Sequence, residues 1–583
     1  MALPVERPAP SMFDPTSVGR AAHARQLHSN MANDTKAKKP ILVGPIRHNL
    51  EAFGVAILAA VLLKWFCIEA YQIPTSSMQP TLMGSVEANV HDRILVNKLI
   101  QTFRDPKRWD ITVFKYPLQK NQNYVKRILG MPLDRLYISG GNVYQVEGDG
   151  ENRKYTVLRK PDDLQEVMWK NIYPQRRETR AETKSLPQIF GASPSRAAEE
   201  IEGGFTLEPN GKTARLFFRD QVDGGVVNRV WDGYPVDVSR PMRDQEINGY
   251  LVNQNRPQEI VPDVRLTCTV TTEKSLKEFA LAIEVVRPDL AKYTYAFALR
   301  GDKGVLEVRG ADKKIVLGKS EEFAVSLTPG EATELSFAHI DEQLIAWQDG
   351  SELQRFESAE WSCREGCIIP PSNPFKAPSD RKVNPQFLCT GTGKVTLTDV
   401  RIDRDQHYTR ETAPEIIEVP ADHYYMMGDN TLQSIDSRGW TAITIGVDKD
   451  DNIVPLDSPD CVRQIRGNKR AMDLSGAPDR DETPIALPDQ NTIVMIDEYG
   501  EILRLKGQPG SNWGNGNVTF RNPNADPGDP KAEWSALDTT NAKGISYVPR
   551  SDIQGRALMV FYPSRPISWL TGNNWPNRFG FVR

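Results

Sequence analysis

Ile73-Pro74-Thr75-Ser76-Ser77-Met78-Gln79-Pro80-Thr81-Leu82 follows directly on an apolar segment that ends near Tyr71. Read outward, this places a proline-bounded serine loop between a candidate membrane anchor and a series of β-branched runs. A serine becomes a useful nucleophile only beside a base that removes its proton. The nearby sequence offers a lysine for that task, in Tyr124-Val125-Lys126-Arg127-Ile128-Leu129-Gly130, so Ser77 and Lys126 read as a Ser/Lys dyad. The seven histidines, His23, His28, His48, His91, His339, His407 and His423, lie outside any Gly-x-Ser-x-Gly nucleophile elbow. Triad members can be far apart in sequence, but a Ser/His/Asp triad has no local support here. For Lys126 to accept a proton near neutral pH, its ordinary pKa of about 10.4 must fall by roughly 3 units, worth about 4 kcal/mol. Burial supplies such a shift because a low-dielectric site disfavours the ammonium, and Val125, Ile128 and Leu129 suit that site.

Taken singly, these residues have ordinary readings. A serine in a proline-rich junction is usually a turn or cap residue, and a Lys-Arg pair on a strand is usually a solvated face. Order along the chain carries more weight. Pro74 to Leu82 is followed by His91-Asp92-Arg93-Ile94-Leu95-Val96-Asn97-Lys98, then by Val125-Lys126-Arg127-Ile128-Leu129-Gly130-Met131-Pro132-Leu133-Asp134. A fourth block runs from Met427-Gly428-Asp429-Asn430 to Ser434-Ile435-Asp436-Ser437-Arg438-Gly439-Trp440. In the same order, these blocks resemble the P-S-x-S-M-x-P-T-L, G-D-x-x-x-V-x-K, K-R-x-x-G-x-P-G-D and G-D-N-x-x-x-S-x-D-S-R motifs of bacterial type I signal peptidases, the leader peptidases.

Carried over residue by residue, the resemblance implies Ser77 as nucleophile, Lys126 as general base and Ser434 as the residue orienting the amine. It further implies an oxyanion site formed by the Ser77 backbone N–H and the hydroxyl of Thr75, where the family usually has serine. Asp436 and Arg438 match a pair that braces the site structurally. His91 and Leu133 stand where the motifs carry glycine. Glycine often serves a positive φ, so the turn at Leu133 is open to a different shape. Asp429 and Asn430, following a glycine, read as a β-turn with a structural part.

At 583 residues the chain is far too long for one ordinary domain. Its 72 basic and 76 acidic residues leave a net charge of −4, giving no overall electrostatic pull toward nucleic acid. The chain from Leu50 to Tyr71 holds an unbroken apolar core only between Ala52 and Leu63. About 20 residues are needed to cross roughly 30 Å of hydrocarbon, so Lys64 must snorkel while Trp65 and Tyr71 occupy the headgroup belt. Lys36, Lys38, Lys39 and Arg47 precede the segment, and the positive-inside tendency keeps the N-terminus cytoplasmic. A cleavable signal peptide is the competing reading, although its apolar core normally lies nearer residue 1. Exported Cys268, Cys363, Cys367, Cys389 and Cys461 permit disulfides, with their odd number leaving one unpaired. The Cys363-x-x-x-Cys367 spacing lacks a second Cys/His pair nearby, so neither a metal nor any other cofactor is expected.

Ile94–Val96, Ile111–Phe114, Tyr124–Ile128, Leu136–Ile138 and Val143–Val146 are β-branched or aromatic runs separated by turn formers. Period-two alternation recurs at Val264–Val270, Phe279–Val285, Tyr293–Leu299, Phe323–Leu327, Leu335–Phe337 and Val395–Leu397, and points to an antiparallel sandwich. That region loosely resembles laminin-G or lectin-like jelly rolls, an analogy that does not establish sugar binding; a spacer or docking module is the favoured role.

The expected fold class is therefore mainly β: a signal-peptidase-like twisted antiparallel core after one N-terminal transmembrane helix, with an inserted β-sandwich. The expected organisation is a disordered cytoplasmic tail at 1–44, the transmembrane helix at 45–71 and catalytic pieces at 72–146, 407–440 and 541–583. Between them stand an insertion of unclear fold at 147–240, the sandwich at 241–406 and a second insertion at 441–540. The resemblance implies a single-pass inner-membrane serine endopeptidase, its catalytic part on the exported side, that cleaves signal peptides from preproteins. Its implied partners are those preproteins, the lipid bilayer and the secretion machinery, with no nucleic acid. The rival readings are a non-enzymatic membrane-anchored envelope binding protein that works through the sandwich, and a self-cleaving repressor-type Ser/Lys protease. Joint retention of Ser77, Lys126 and Ser434 weighs against the first. The anchor and the lack of a DNA-binding motif weigh against the second.

Overall fold

A computed structural model of the chain describes residues 45–85, 90–173, 190–222, 225–227, 230, 260–286, 292–310, 316–357, 382–410, 413–431, 434–469, 485–489, 491–511, 513, 518–522, 526, 529, 532–540, 546–562 and 580–582. The expected tail at 1–44 and the Cys363/Cys367 pair lie outside the described residues. The described fold is mainly β, with one long helix.

That helix spans Pro45–Leu62 and continues as a π-helical turn over Leu63–Cys67. Twenty residues, His48–Cys67, have a mean hydropathy of 1.9, and none of them is buried. Phe53, Val55, Ile57, Leu58 and Trp65 are all exposed. Leaving such side chains in water costs roughly 25 cal/mol per Å² of apolar area, and a membrane removes the cost. The segment is long and apolar enough to cross one.

The remainder is a separate unit beginning at Leu62. Its catalytic-motif strands form an antiparallel sheet ordered Ile68–Gln72, Arg93–Asn97, Ile553–Tyr562, Ile111–Tyr116, Gln119–Gly130, His423–Met427 and Val548–Pro549, with Gly580–Phe581 added to Ile553–Tyr562. Its first strands thus pair with the last part of the chain, and His423–Met427 is brought beside the lysine strand in the register Met427↔Arg127. Successive side chains of a strand point to opposite faces. Accordingly Ile128 joins Phe114, Tyr116 and Trp440 in one buried cluster, while Leu129 joins Trp109, Leu136 and Tyr425 in another.

Two further eight-stranded sheets, drawn from residues 170–404, bury a common core that includes Leu266, Cys268, Leu281, Phe297, Phe337 and Phe387. One contains Val264–Thr272, Thr333–Ile340 and Val395–Arg404; the other contains Glu278–Val286, Lys292–Arg300 and Lys382–Thr390. In Val264–Thr272 the apolar Val264, Leu266, Cys268 and Val270 are fully enclosed, and the intervening Arg265 and Thr267 are buried as well. Phe323–Leu327 forms a strand only over Phe323–Ala324.

Residue 240 does not separate two folds. Lys170–Tyr173, Phe190–Ser193, Gly204–Leu207 and Thr213–Phe218 hydrogen-bond into the same two sheets. Each of these runs is only four to six residues long, too short to stand out as a period-two pattern within the charged sequence around it. Farther along the chain, Thr441–Val447 carries Arg463–Asn468 and Leu537–Thr540 over a core of Ile443, Ile445, Met495 and Phe520. Among the described residues, Cys67, Cys268, Cys389 and Cys461 are free thiols.

Candidate active site

The serine loop is pinned from below by its own apolar residues. Ile73, Met78 and Leu82 are buried against Ile94, Val96, Ile111 and Val113, and Ser76–Met78 forms a single 3-10 turn. That anchoring leaves Ser77 at the top of the turn, almost enclosed, with its Oγ 2.6 Å from Lys126 Nζ. Thr75 is exposed, and its Oγ1 lies 3.4 Å from Ser77 Oγ.

Lys126 sits mid-strand, opposite Thr112, and is buried. Burial is the largest influence on its amine and pulls the pKa down from 10.5 to about 8. Asp436 and Asp429 resist the fall and Arg438 assists it. An amine with weakened proton affinity, in contact with a hydroxyl, can take that hydroxyl's proton.

The segment from Gly428 to Arg438 closes the site. Arg127 points to the other face of the strand from Lys126 and meets Asp429 through two bonds, Nε to Oδ1 at 2.8 Å and Nη2 to Oδ2 at 2.7 Å. Thr81 Oγ1 donates to the same Oδ2 at 2.5 Å. Burial works against the Asp429 carboxylate, but Arg127 holds its pKa below the ordinary value. Asn430 reaches the serine turn twice: its backbone N–H donates to Ser77 O at 3.1 Å and its Nδ2 to Ser76 O at 3.1 Å. Gly428 must lack a side chain, since a Cβ there would overlap Ser434 Oγ and Ser77 O.

Asp436 accepts from Arg438 Nε at 2.8 Å, Arg438 Nη2 at 2.9 Å and the Gly428 N–H at 3.1 Å. Arg438 also donates to the carbonyls of Thr409, Thr431 and Ser434, satisfying its fork of donors in a fully buried position. Ser434 is beside Ser77, yet its Oγ has no hydrogen-bond partner. Ser434 Oγ and the Lys126 amine, which contacts Ser77, are not joined by a hydrogen bond.

Lys170 and Gln406 also reach this segment. Lys170 Nζ contacts Gln406 Oε1 and donates to Asp429 O at 3.3 Å, while Gln406 Nε2 donates to the same carbonyl at 2.7 Å. Burial and the neighbouring Arg404 drive the Lys170 pKa well below its ordinary value. Nearby, the buried carboxylates of Asp263, Asp341 and Asp405 converge. The Lys160 ammonium is there, 2.8 Å from Asp405 Oδ2 and 3.1 Å from Asp341 Oδ2. Burial disfavours this ammonium, but the two carboxylates outweigh burial and raise its pKa.

Ser77, Lys126, Thr75, Ser434, Asp436 and Arg438 thus gather in one place. Sequence reasoning gave Asp429 and Asn430 only a turn and missed Thr81, Lys170 and Gln406. The Gly-Asp-Asn block carried a signal for the first two and the Pro80-Thr81-Leu82 end of the serine block one for Thr81; nothing local marked Lys170 or Gln406.

A family model described as "Signal peptidase, peptidase S26" matches residues 46–190 and 375–455. "Signal peptidase I" of Pseudomonas aeruginosa is 36% identical over 123 residues, which are 18% of this chain and 40% of that protein. "Probable signal peptidase I-2" of Synechocystis is 34% identical over 163 residues, 25% of this chain and 70% of that protein. The chain spans about two fifths of the length of the Pseudomonas relatives it matches. Among solved structures, a galectin from Caenorhabditis elegans gives a TM-score of 0.16 at 13% identity, covering 25% of this chain and 83% of its own; a likeness that low says nothing of this chain's fold.

Proposed function

The chain belongs to the signal peptidase family, peptidase S26, and from that premise we propose that it is a membrane-bound endopeptidase that removes signal peptides from exported preproteins. One observation carries the reading: the 2.6 Å approach of Lys126 Nζ to Ser77 Oγ in a buried site. In the proposed cycle Ser77 Oγ attacks the carbonyl of the last signal-peptide residue while neutral Lys126 takes its proton. The proton passes to the leaving amine, and water then hydrolyses the ester. Thr75 Oγ1 and the Ser77 N–H are assigned to the oxyanion. Ser434 Oγ, unpartnered beside the dyad, is assigned to the amine once substrate fills the site. Asp436 and Arg438 hold the floor.

On this reading the catalytic unit is a twisted antiparallel sheet in three sequence pieces, interrupted by a sandwich insert and a second insert. The helix over His48–Cys67 is assigned as a single-pass inner-membrane anchor with the N-terminus cytoplasmic. Tethering the enzyme beside a substrate whose apolar stretch is itself in the bilayer raises effective concentration. The preprotein's small residues before the cut would enter shallow pockets, and the secretion machinery would deliver it.

The test uses purified full-length protein in lipid vesicles and a preprotein with an Ala-x-Ala site, with mass spectrometry of the new N-terminus. Ser77→Ala and Lys126→Ala are each expected to lose at least ~10³-fold in rate. Cleavage by both variants at the wild-type rate would overturn the assignment. A reporter fused after Tyr71 that remained cytoplasmic would overturn the orientation.

A further inference from the structure

We infer that Lys170, on the strand Lys170–Tyr173, and Gln406, two residues past the end of the strand Val395–Arg404, are positioning residues for the Ser77–Lys126 pair. The inference rests on the peptidase reading and adds to it a part for the insertion.

The connection runs through two residues. Asp429 braces the lysine strand, its carboxylate gripping Arg127 next to Lys126. Asn430 braces the serine turn by donating to the carbonyls of Ser76 and Ser77. The Asp429–Asn430 step therefore cross-links both halves of the dyad. Its own position is set at the Asp429 carbonyl, which accepts from Lys170 Nζ and from Gln406 Nε2.

Lys170 and Gln406 work as one device. Lys170 Nζ bonds to Gln406 Oε1, which turns the amide so that its N–H₂ faces Asp429. A carbonyl has two lone pairs, and these two donors can occupy both. The device is fixed to the inserted sheets rather than to the catalytic one. Lys170 pairs with Arg404 across two antiparallel strands. Gln406 follows Asp405, whose N–H donates to Asp263 O at 2.9 Å and whose Oδ1 accepts from Gln165 at 2.7 Å. Thr431 Oγ1 adds a bond to His407 O at 3.0 Å, tying the next residue of the same segment to the neighbour of Gln406. Lys170 and Gln406 are both buried, so removing either leaves a polar group of the pair without its partner in a dry place.

A shift of about 1 Å in reacting groups can cost on the order of 10²-fold in rate. Lys170→Met and Gln406→Leu, close in volume to the originals, remove the donors. In the full-length protein with preprotein substrate, each is expected to lower kcat by about 10- to 100-fold and to leave KM within about twofold. The double variant is expected to fall no lower than the weaker single one, because the two side chains act as a unit. Thermal melting of each variant, followed by circular dichroism, measures the folded fraction. Wild-type kcat in Gln406→Leu, a rise in KM alone, losses that multiply in the double variant, or a loss of kcat that matches the unfolded fraction would each overturn the proposal. Ser77→Ala run in parallel separates the two levels. If wild type cleaves, Ser77→Ala does not, and the Lys170 and Gln406 variants match wild type, only the positioning role fails; if wild type does not cleave, the peptidase reading fails and takes this role with it.

Discussion

Arg127 and Asp429 form a two-pronged ion pair, 2.8 and 2.7 Å, with both side chains fully buried. The pair joins the strand carrying Lys126 to the segment carrying Asn430. A buried pair of this kind contributes little net stability against an apolar replacement, but breaking it strands a charge and costs about 3–5 kcal/mol. Asp429→Asn is therefore expected to destabilise the protein by roughly that amount and to lose activity along with it. Denaturant unfolding measures the first effect; a change below about 1 kcal/mol would show that Arg127 finds another partner.

Lys126 makes the opposite prediction for stability. Its pKa falls from 10.5 to about 8 on folding, so the unfolded chain binds the extra proton between those values. Stability from this group consequently rises with pH across that window. Below pH 8 the folded state carries the whole penalty, about 3 kcal/mol for the shift as given. Lys126→Met should thus be inactive yet more stable than wild type at pH 7, by up to ~3 kcal/mol. The advantage should shrink as pH climbs from 8 toward 10.5. Unfolding curves at a series of pH values test it, and a variant less stable than wild type at neutral pH would refute it. In the same enzyme, kcat/KM should rise with pH around a midpoint near 8, because the neutral amine is the active form.

What the sequence made legible follows from how local each signal is. Ser77 and Lys126 lie in compact motifs, and the strand holding Lys126 shows itself in its own β-branched and aromatic residues. The alternation of Val264, Leu266, Cys268 and Val270 likewise exposes one face of an inner strand, all four residues being fully buried. The part taken by Asn430 was hidden because its side chain bonds a residue 354 positions away. Lys170 was hidden further. Its partner in the catalytic segment is 259 residues on, its strand is four residues long, and a lysine in a charged stretch reads as solvated. Burial by a remote part of the chain reverses that reading, and no local pattern reports it.

Leu133 marks a place where the backbone overrules the residue. It stands where the turn motif has glycine and adopts φ +67° with its side chain largely exposed. The turn keeps its left-handed residue because Leu133 N–H donates to Val419 O at 3.1 Å and Asp134 N–H to Met131 O at 3.1 Å. A leucine in that region costs roughly 1–2 kcal/mol, part of which glycine's greater unfolded-state freedom would give back. Leu133→Gly should then stabilise the protein by about 0.5–1 kcal/mol. A loss of stability in the unfolding curve would mean that the exposed leucine is making a contact of its own.

Gly428 offers the sharpest steric test of the site. A methyl group there would collide with both Ser434 Oγ and the Ser77 carbonyl oxygen, and neither neighbour can yield freely. Ser77 O is held by the Asn430 N–H at 3.1 Å, and Ser434 is buried under the Arg438 network. The strain must therefore move the serine turn away from Lys126 or push the segment off its Asn430 contacts. Gly428→Ala is expected to cut kcat by on the order of 10²-fold. The cost in folding stability should be about 1–3 kcal/mol, the usual range for overpacking. Wild-type turnover would mean that the 2.6 Å approach of Ser77 to Lys126 survives the added methyl, and would overturn the idea that this close backbone packing sets the dyad.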